Sequence, residues 1–353
     1  MNEIYIESNL EGICIYLGSN ISDALKNLNQ SGFQLIFLID KDKRLIGTIS
    51  DGDIRRGLLN GYLLSDEVIK IANLNPHKIT SQENKLNIKE IMKKNRIRQI
   101  PIIDSQEKLL GIYIWDQDYG TKKMENSLLI MAGGRGTRLG DITKKIPKPM
   151  VDIGGKPILE HIITRAREQG FKKIIISIYY LGHVIKEYFG DGAQFDVEIT
   201  YIEEEQPLGT AGALSLLSPN PNLDLFIVNG DLLTDINYKE MLQFHKINAG
   251  IATMAVRINE IQNPFGVVFT DGFRIIGYEE KPLFRNLVNA GIYVISPELI
   301  KNVEKNTFLN MPDLFEIARK KGFDTVAFPI HEDWIDVGHP QDLKKAIRSW
   351  RED

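Results

Sequence analysis

The sequence predicts an α/β fold, a doubly wound and mainly parallel sheet, preceded by a smaller module built on an internal repeat. Three observations carry this reading. Beyond residue 127, short apolar runs alternate with amphipathic helical patterns, as in strand–helix–strand units. The first of those runs opens into a glycine-rich turn, placed where open α/β sheets hold ligands at the carboxyl ends of their strands. Before residue 120, two stretches repeat at an offset of 64 residues, from Asp40 to Asp104 and from Gly47 to Gly111.

In chain order the repeat comes first. QLIFLIDKDKRLIGTISDGD (34–53) and RQIPIIDSQEKLLGIYIWDQD (98–118) each hold an apolar run, an Asp, a polar turn and a second apolar run with a Gly. Helical patterns precede both, ISDALKNLNQ at 21–30 and NIKEIMKKN at 87–95, with Ala24 and Leu28 matched by Ile88 and Met92. Each unit is expected to run helix, strand, turn, strand, short helix, and two such units stack to bury faces that neither buries alone. YGTKKMENS (119–127) lacks apolar periodicity and reads as a linker, which divides the chain into residues 1–120, 121–127 and 128–353. In the last part, LLIM (128–131), KKIIISIYY, LDLFIVNGD, IATMAVRI, NAGIYVIS and FDTVAFPI are expected strands. GKPILEHIITRAREQG (155–170) and DINYKEMLQFHKINAG are expected helices.

With 353 residues, 43% hydrophobic and 25% charged, the composition is that of an ordinary globular protein of two or three domains. A formal net charge of −4 argues against nucleic acid as a partner. Cys14 is the only cysteine, which excludes a disulfide framework and a thiolate zinc cluster, and the histidines show no ligand spacing. There is no basic-then-apolar leader and no apolar run of about 18 residues, so the expectation is a cytoplasmic protein with no membrane partner.

The chemistry concentrates in LLIMAGGRGTRLGDITKKIPKPM (128–150). Ala132 leads into Gly133, Gly134 and Gly136, which lack Cβ atoms and let backbone amides close on phosphate oxygens. Arg135, Thr137, Arg138 and Lys148 add donors and charge, and Pro147 and Pro149 restrict the backbone around Lys148. No GxxxxGK[ST] run occurs, and Gly140 falls one position late for a dinucleotide fingerprint. The pattern points to a nucleoside triphosphate gripped by its phosphates. Asp231 closes the run FIVNGD at a strand end, and Asp336 in DWIDVGHPQDL is its best partner for a divalent ion, although a lone Asp at such a place also serves as a helix cap. In QPLGTAGAL (206–214), Gly209, Thr210 and Gly212 open a small-residue helix toward a ribose or base, or pack it closely. Glu280 and Lys281 in EEKP are a phosphate contact or a charged loop tip.

GGRGTRL, PKPM, LGTAGAL, NGD, EEKP, NAGIY and WIDVGHPQD occur in that order. With them, residues 127–353 resemble a nucleotide-sugar pyrophosphorylase, a sugar-1-phosphate nucleotidyltransferase of Rossmann-like, GT-A-like fold. The resemblance implies Arg138 on the β- and γ-phosphates, Lys148 on the α-phosphate and the sugar phosphate, and Mg2+ on Asp231 and Asp336. It places Lys281, with Glu280, at the sugar phosphate and the Asn289–Gly291 turn in the sugar pocket. It implies in-line attack by a sugar 1-phosphate on the α-phosphorus, with pyrophosphate leaving. The N-terminal repeat resembles a tandem CBS pair (a Bateman module). Ser50 and Asp53 match positions that in that family hydrogen-bond the ribose of an adenine nucleotide. The second unit has Ile114 and Gln117 there, with Asp118 alongside. Adenine-nucleotide sensing and simple packing, or homodimerisation through these modules, both stay open.

For the base, Glu204 in YIEEEQPLGTAG falls near the position where thymidylyl enzymes of the family place a base-contacting glutamine. A carboxylate accepts from the N1–H and N2–H₂ donors of guanine and repels the carbonyls of uracil or thymine, which favours GTP. Glu203 and Glu205 are adjacent candidates for the same part. The fusion of a CBS pair to this domain resembles guanylyltransferases of bacterial legionaminic acid (nonulosonate) biosynthesis, which act on glucosamine 1-phosphate. Mannose or heptose 1-phosphate, and UTP or dTTP in place of GTP, are the alternatives, with a nucleotide-sensing regulatory subunit as the non-enzyme reading. The sequence closes soon after SWRED, so no appended acetyltransferase domain is expected.

Overall fold

The computed structural model describes residues 4–7, 10, 12–31, 33–80, 83, 85–95, 97–115 and 124–350. The chain divides into two compact units, Met1–Gly120 and Thr121–Asp353.

In the first unit the repeat is carried into backbone register. Strand Cys14–Tyr16 runs parallel to Leu35–Ile39, which pairs antiparallel with Leu45–Ser50. Ile79–Thr80, Gln99–Ile103 and Leu109–Trp115 do the same. Ile15 faces Leu38 as Ile79 faces Ile102, and Gly47 faces Leu38 as Gly111 faces Ile102. The helices Ile21–Ser31 and Lys85–Asn95 keep the same offset. Each hairpin turn is held by its Asp, a side-chain acceptor suited to turns. Asp40 Oδ1 accepts from the amides of Asp42 (2.9 Å) and Arg44 (2.8 Å), and Asp104 Oδ1 from those of Gln106 (2.7 Å) and Lys108 (2.9 Å). The two halves then exchange backbone bonds, Leu45 N to Glu107 O (2.9 Å) and Leu109 N to Lys43 O (3.0 Å). Phe37, Ile39 and Leu45 share a core with Ile103, Leu109 and Ile112. The short helix expected after the second hairpin, Asp118 included, lies outside the described residues.

The second unit is built on a seven-stranded sheet in the order Glu198–Glu203, Lys173–Ile178, Leu128–Met131, Leu225–Asn229, Leu283–Ile295, Ala252–Gln262 and Thr325–Ile330. Its strands are parallel except Leu283–Ile295, which runs antiparallel to both neighbours. Leu128 and Ile130 pack into one core with the helices Ile158–Glu168 and Tyr238–Ile247, and Leu129 into another with Met311–Lys320. Both faces are covered, which is why these strands read as continuous apolar runs. The chain winds outward from Leu128–Met131 to Glu198–Glu203 and then returns to the other side of Leu128–Met131 as Leu225–Asn229. That reversal opens a crevice at the carboxyl ends of these two strands.

The strands expected at IATMAVRI and NAGIYVIS are longer than their apolar cores. Ala252–Gln262 and Leu283–Ile295 continue side by side to the Gln262–Leu283 pair, and Val267–Asp271 and Arg274–Glu279 form a further hairpin between them. No helix among the described residues is long and apolar enough to cross a membrane.

A buried polar chain ties the sheet to the helix Tyr238–Ile247. His245 Nδ1 lies 2.8 Å from Thr253 Oγ1 and Nε2 3.0 Å from Ser296 Oγ, which donates to Asp224 Oδ1 at 3.1 Å. The His245 imidazole beside it, followed by the Ser296 hydroxyl, holds the Asp224 carboxyl below the usual carboxylate range against the opposing effect of burial. A lowered native pKa stabilises at neutral pH, and that stabilisation is lost as pH falls through the native value, below about 4. Asp224→Asn is therefore expected to cost about 1–2 kcal/mol in urea unfolding at pH 7. The gap from wild type should narrow in acid; a gap of constant size down to about pH 3 contradicts this assignment.

Candidate active site

The glycine turn leaves Leu128–Met131 at the crevice. Its first amide, Ala132 N, donates to Ser177 O at 2.8 Å, which fixes the turn to the neighbouring strand. Gly136 has φ +62°, and a Cβ there would lie 2.9 Å from Lys148 Cβ and 3.0 Å from Thr143 Cγ2. Thr143 Oγ1 donates to Gly136 O at 2.9 Å, closing the turn on itself. No side chain fits at Gly136, so the turn can lie directly against Lys148.

Lys148 opens a short 3₁₀ turn between Pro147 and Pro149 and is buried, 7% exposed. Its ammonium is hydrogen-bonded to Asp231 Oδ2 and lies 3.7 Å from Asp336 Oδ1. The two aspartates, far apart in sequence, are brought together by a two-stranded ribbon. Leu232–Thr234 pairs antiparallel with Trp334–Asp336, Leu232 opposite Asp336, and Val337 N donates to Asp231 O at 3.0 Å. Trp334 Nε1 anchors the ribbon by donating to Ala290 O at 2.8 Å. Arg138 completes the group. A Cβ on Gly338 would lie 3.4 Å from Asp336 Oδ1 and 3.6 Å from Arg138 Nη1. Burial, then the like charge of Asp231, raises the Asp336 carboxyl pKa, while Lys148 and Arg138 pull it down.

Glu204 sits on the other side of the turn. It is 9% exposed, its Oε1 accepts from Ser177 Oγ at 2.6 Å and its Oε2 from Leu208 N at 3.0 Å. A Cβ on Gly133 would lie 2.8 Å from Glu204 Oε1, so the carboxylate lies over the start of the glycine turn. Glu203 differs, being ion-paired with Lys186, and Glu205 is exposed.

Family model and relatives converge on this region. A model described as nucleotidyl transferase matches residues 127–352, more than half of the chain. The chain belongs to the nucleotidyl transferase family. A CBS-domain model matches residues 11–60. A probable mannose-1-phosphate guanylyltransferase 1 of Oryza sativa subsp. japonica is 33% identical over 230 residues, covering 62% of this chain and 63% of that protein. A UTP–glucose-1-phosphate uridylyltransferase of Synechocystis sp. is 32% identical over 240 residues, covering 62% of each. The chain thus spans less than two thirds of the length of these curated relatives. A crystal structure of a putative glucose-1-phosphate thymidylyltransferase from Bacillus anthracis, in complex with a sucrose, shares the fold. Its TM-score is 0.52 at 24% identity, covering 64% of this chain and 97% of that one.

Other sequence candidates of this nucleotidyl transferase fall into place unevenly. The stretch LGTAGAL yields a four-residue helix, Gly209–Gly212, then a 3₁₀ turn. Cβ atoms on Gly209 and Gly212 would meet Leu309 O at 2.6 Å and Thr307 O at 2.5 Å. The amides of Ala211 and Gly212 donate to Leu309 O, and Thr210 Oγ1 accepts from Met311 N. Both glycines are thus closely packed on neighbouring backbone, and the amides of Ala211 and Gly212 are directed at Leu309. Asn289 Oδ1 accepts from Gly291 N at 2.9 Å and its Nδ2 donates to the Tyr293 hydroxyl at 2.8 Å. The turn expected at Asn289–Gly291 is instead an irregularity inside the strand Leu283–Ile295, with Gly291 at φ +74°, and a Cβ on Gly291 would lie 2.6 Å from Asn229 Nδ2 at the strand end before Asp231. Glu280 and Lys281 stand apart. Lys281 (φ +46°) is exposed beyond Leu283, and Leu283 lies six strand steps, roughly 20 Å, from Asn289. Among the described residues, neither has a hydrogen bond or ion pair with the Lys148 group. In the first unit, Ser50 and Asp53 form a reciprocal cap of the helix Asp51–Leu59, with Asp53 Oδ1 also 2.5 Å from Arg56 Nη2. Ile114 is buried in its strand.

Two residues escaped the sequence reading. Ser177 is a hydroxyl inside the apolar run KIIISI, and a buried hydroxyl needs a partner, which was the available signal. Asn229 Oδ1 is buried without a hydrogen-bond partner among the described residues, as is Asp336 Oδ1. The fit of the site to a divalent ion follows from its donors. Two carboxylates beside a crevice, one with a buried oxygen that takes no hydrogen bond among the described residues and meets only the Lys148 ammonium at 3.7 Å, suit a hard cation that keeps waters and phosphate oxygens as its remaining ligands. No cluster of three or more His, Cys, Asp or Glu suited to a metal occurs among the described residues.

Gly136→Ala is expected to destabilise by about 1–3 kcal/mol through the left-handed backbone and the crowding of Lys148. Gly134→Ala is its control, since a Cβ there meets nothing within 4 Å. Equal melting temperatures for the two variants would remove the close-packed role of Gly136.

Proposed function

We propose that this protein is a Mg2+-dependent sugar-1-phosphate guanylyltransferase, joining GTP and a sugar 1-phosphate into a GDP-sugar with release of pyrophosphate. The observation that carries the reading is the convergence of Arg138, Lys148, Asp231 and Asp336 beside the glycine turn at the switch point of the sheet. In-line displacement at an α-phosphorus needs no covalent enzyme intermediate, only positioning and charge neutralisation. The residues present match that need. The turn Ala132–Thr137 takes the triphosphate with Arg135, and Arg138 takes the β- and γ-phosphates. Asp231 and Asp336 would hold Mg2+, which when bound supplies positive charge to phosphate oxygens. Lys148, buried and flanked by prolines that restrict its backbone, would bear on the α-phosphate and the incoming sugar phosphate. Lys148→Ala is expected to lower kcat on the order of 10²–10³, as for loss of a transition-state donor. A turnover within about threefold of wild type would contradict this role.

For the base we propose guanine, read by Glu204. Ser177 and Leu208 take one acceptor site on each of its oxygens, and an ionised carboxylate has about four such sites, so acceptors remain for the N1–H and N2–H₂ donors. Glu203, already paired with Lys186, is a weaker candidate. Gly209 and Thr210 would stand behind the nucleoside as packing. Glu204→Gln introduces an amide donor and is expected to shift preference toward UTP or dTTP by about 10-fold or more. A panel of the four nucleotides in which wild type prefers UTP, dTTP or CTP to GTP would overturn the guanine reading.

For the sugar we propose glucosamine 1-phosphate, supported by the CBS match ahead of the catalytic unit. Asn289 and Gly291 would line its pocket. Lys281, with Glu280, would reach the sugar phosphate by a bend of the outer ribbon toward the crevice. The same panel, run with glucosamine, N-acetylglucosamine, mannose and glucose 1-phosphates, tests this, and faster turnover of mannose 1-phosphate would replace it. The product class fits the biosynthesis of legionaminic-type nonulosonate sugars in the cytoplasm. The first unit would bind an adenine nucleotide or pair two copies of the chain.

A further inference from the structure

We propose that Ser177 is a positioning residue for base selection, locking the Glu204 carboxylate in the orientation that meets the base and coupling it to the phosphate turn. The inference rests on the reading of Glu204 as the guanine contact. Ser177 is fully buried in the strand Lys173–Ile178, whose other inward residues are isoleucines. A lone hydroxyl there costs stability unless paired, and its side-chain partner is Glu204 Oε1 at 2.6 Å. The main chain of the same residue accepts from Ala132 N at 2.8 Å, the first amide of the glycine turn. One residue thus holds the start of the phosphate turn through its carbonyl and the base-facing carboxylate through its hydroxyl.

The carboxylate is gripped from both ends. Leu208 N fixes Oε2 at 3.0 Å, and Glu204 N donates to Ile178 O at 3.0 Å, pinning the backbone below it. Glu204 lines a cavity of about 270 Å³ with Tyr179, Leu181, His183 and Lys186, so there is room for the side chain to turn if one grip is released. With Ser177 in place, Oε1 stays against Gly133 and its remaining acceptor sites keep one direction. Without the hydroxyl, the carboxylate gains rotational freedom and its discrimination between base donors and base carbonyls weakens.

The test is steady-state kinetics of the full chain with GTP and with UTP, at saturating sugar 1-phosphate, for wild type, Ser177→Ala, Ser177→Thr, Glu204→Gln and the Ser177→Ala/Glu204→Gln double variant. Ser177→Ala is expected to lower the GTP:UTP ratio of kcat/KM about tenfold, through KM for GTP rather than kcat. Ser177→Thr, which keeps the hydroxyl, should hold the ratio within about threefold of wild type. In the Glu204→Gln background, Ser177→Ala should move the ratio by less than about twofold, because the partner is gone. If Ser177→Ala is insoluble, Ser177→Cys, a near-isostere with a weak donor, carries the same expectation. Equal losses for GTP and UTP, or a loss through kcat alone, make Ser177 a structural residue and overturn the proposal. A GTP-selective wild type with an equally selective Ser177→Ala overturns this proposal alone. A wild type without GTP preference overturns the guanine reading and this proposal together.

Discussion

A lysine ammonium buried between two aspartates organises the second unit. Lys148 is hydrogen-bonded to Asp231 and lies 3.7 Å from Asp336, and these residues come from three separate parts of the chain. A buried charge is costly unless paired, and two adjacent carboxylates are costly unless a cation stands between them. Each group therefore makes the others tolerable. Burial and the like charge of Asp231 raise the Asp336 carboxyl pKa, and Lys148 and Arg138 oppose that rise. Such a cluster is held together by its cation, and removing any one member leaves the others unbalanced.

This constraint explains the surrounding sequence better than a list of phosphate ligands does. Gly136 is small because Lys148 Cβ occupies the space where its own side chain would be. Pro147 and Pro149 restrict the backbone on either side of Lys148. Gly338 lies beside both Asp336 and Arg138, where a Cβ would meet each at ordinary contact distance. The ribbon that joins Leu232–Thr234 to Trp334–Asp336 has three residues in each strand, too short for stability alone, and is held by Trp334 on Ala290 and by its buried neighbours. The glycines of the motif thus serve the packing of the cluster, Gly136 against Lys148 and Gly133 against Glu204.

How much of this was legible in the sequence depended on how local the cause was. The repeat of the first unit reached from residue offset to hydrogen-bond register, down to the matched turn aspartates, because each half closes its own sheet, Ile15 on Leu38 and Ile79 on Ile102. The winding of the sheet followed from apolar runs and helix patterns. Asp231 and Asp336 could be nominated by their places at the ends of apolar segments, but the two-stranded ribbon that unites them is long-range and leaves no periodic trace. The outer ribbon from Asn259 to Leu287 gave no strand signal, since its residues are mostly exposed and present no buried face. The turn at Gly209 and Gly212 was ambiguous for a physical reason. Close approach of a ribose and close approach of Leu309 make the same demand for a missing Cβ, and only the three-dimensional structure names the neighbour.

The two strands that flank Leu128–Met131 carry different chemistry. On one side, Leu225–Asn229 leads into Gly230 and Asp231 and so to the charged Lys148 group. On the other, Lys173–Ile178 carries Ser177 and, through it, Glu204. The glycine turn lies between them, touching Lys148 at Gly136 and Glu204 at Gly133. A nucleotide whose phosphates fill that turn is in register with both sides at once, since the same backbone sets both distances. Substitutions at the phosphate side should therefore alter turnover with every nucleotide alike, whereas substitutions on the Ser177 side should sort nucleotides by base. The separation is a consequence of strand order, because the switch point places the two sets of groups on opposite flanks of one rigid strand.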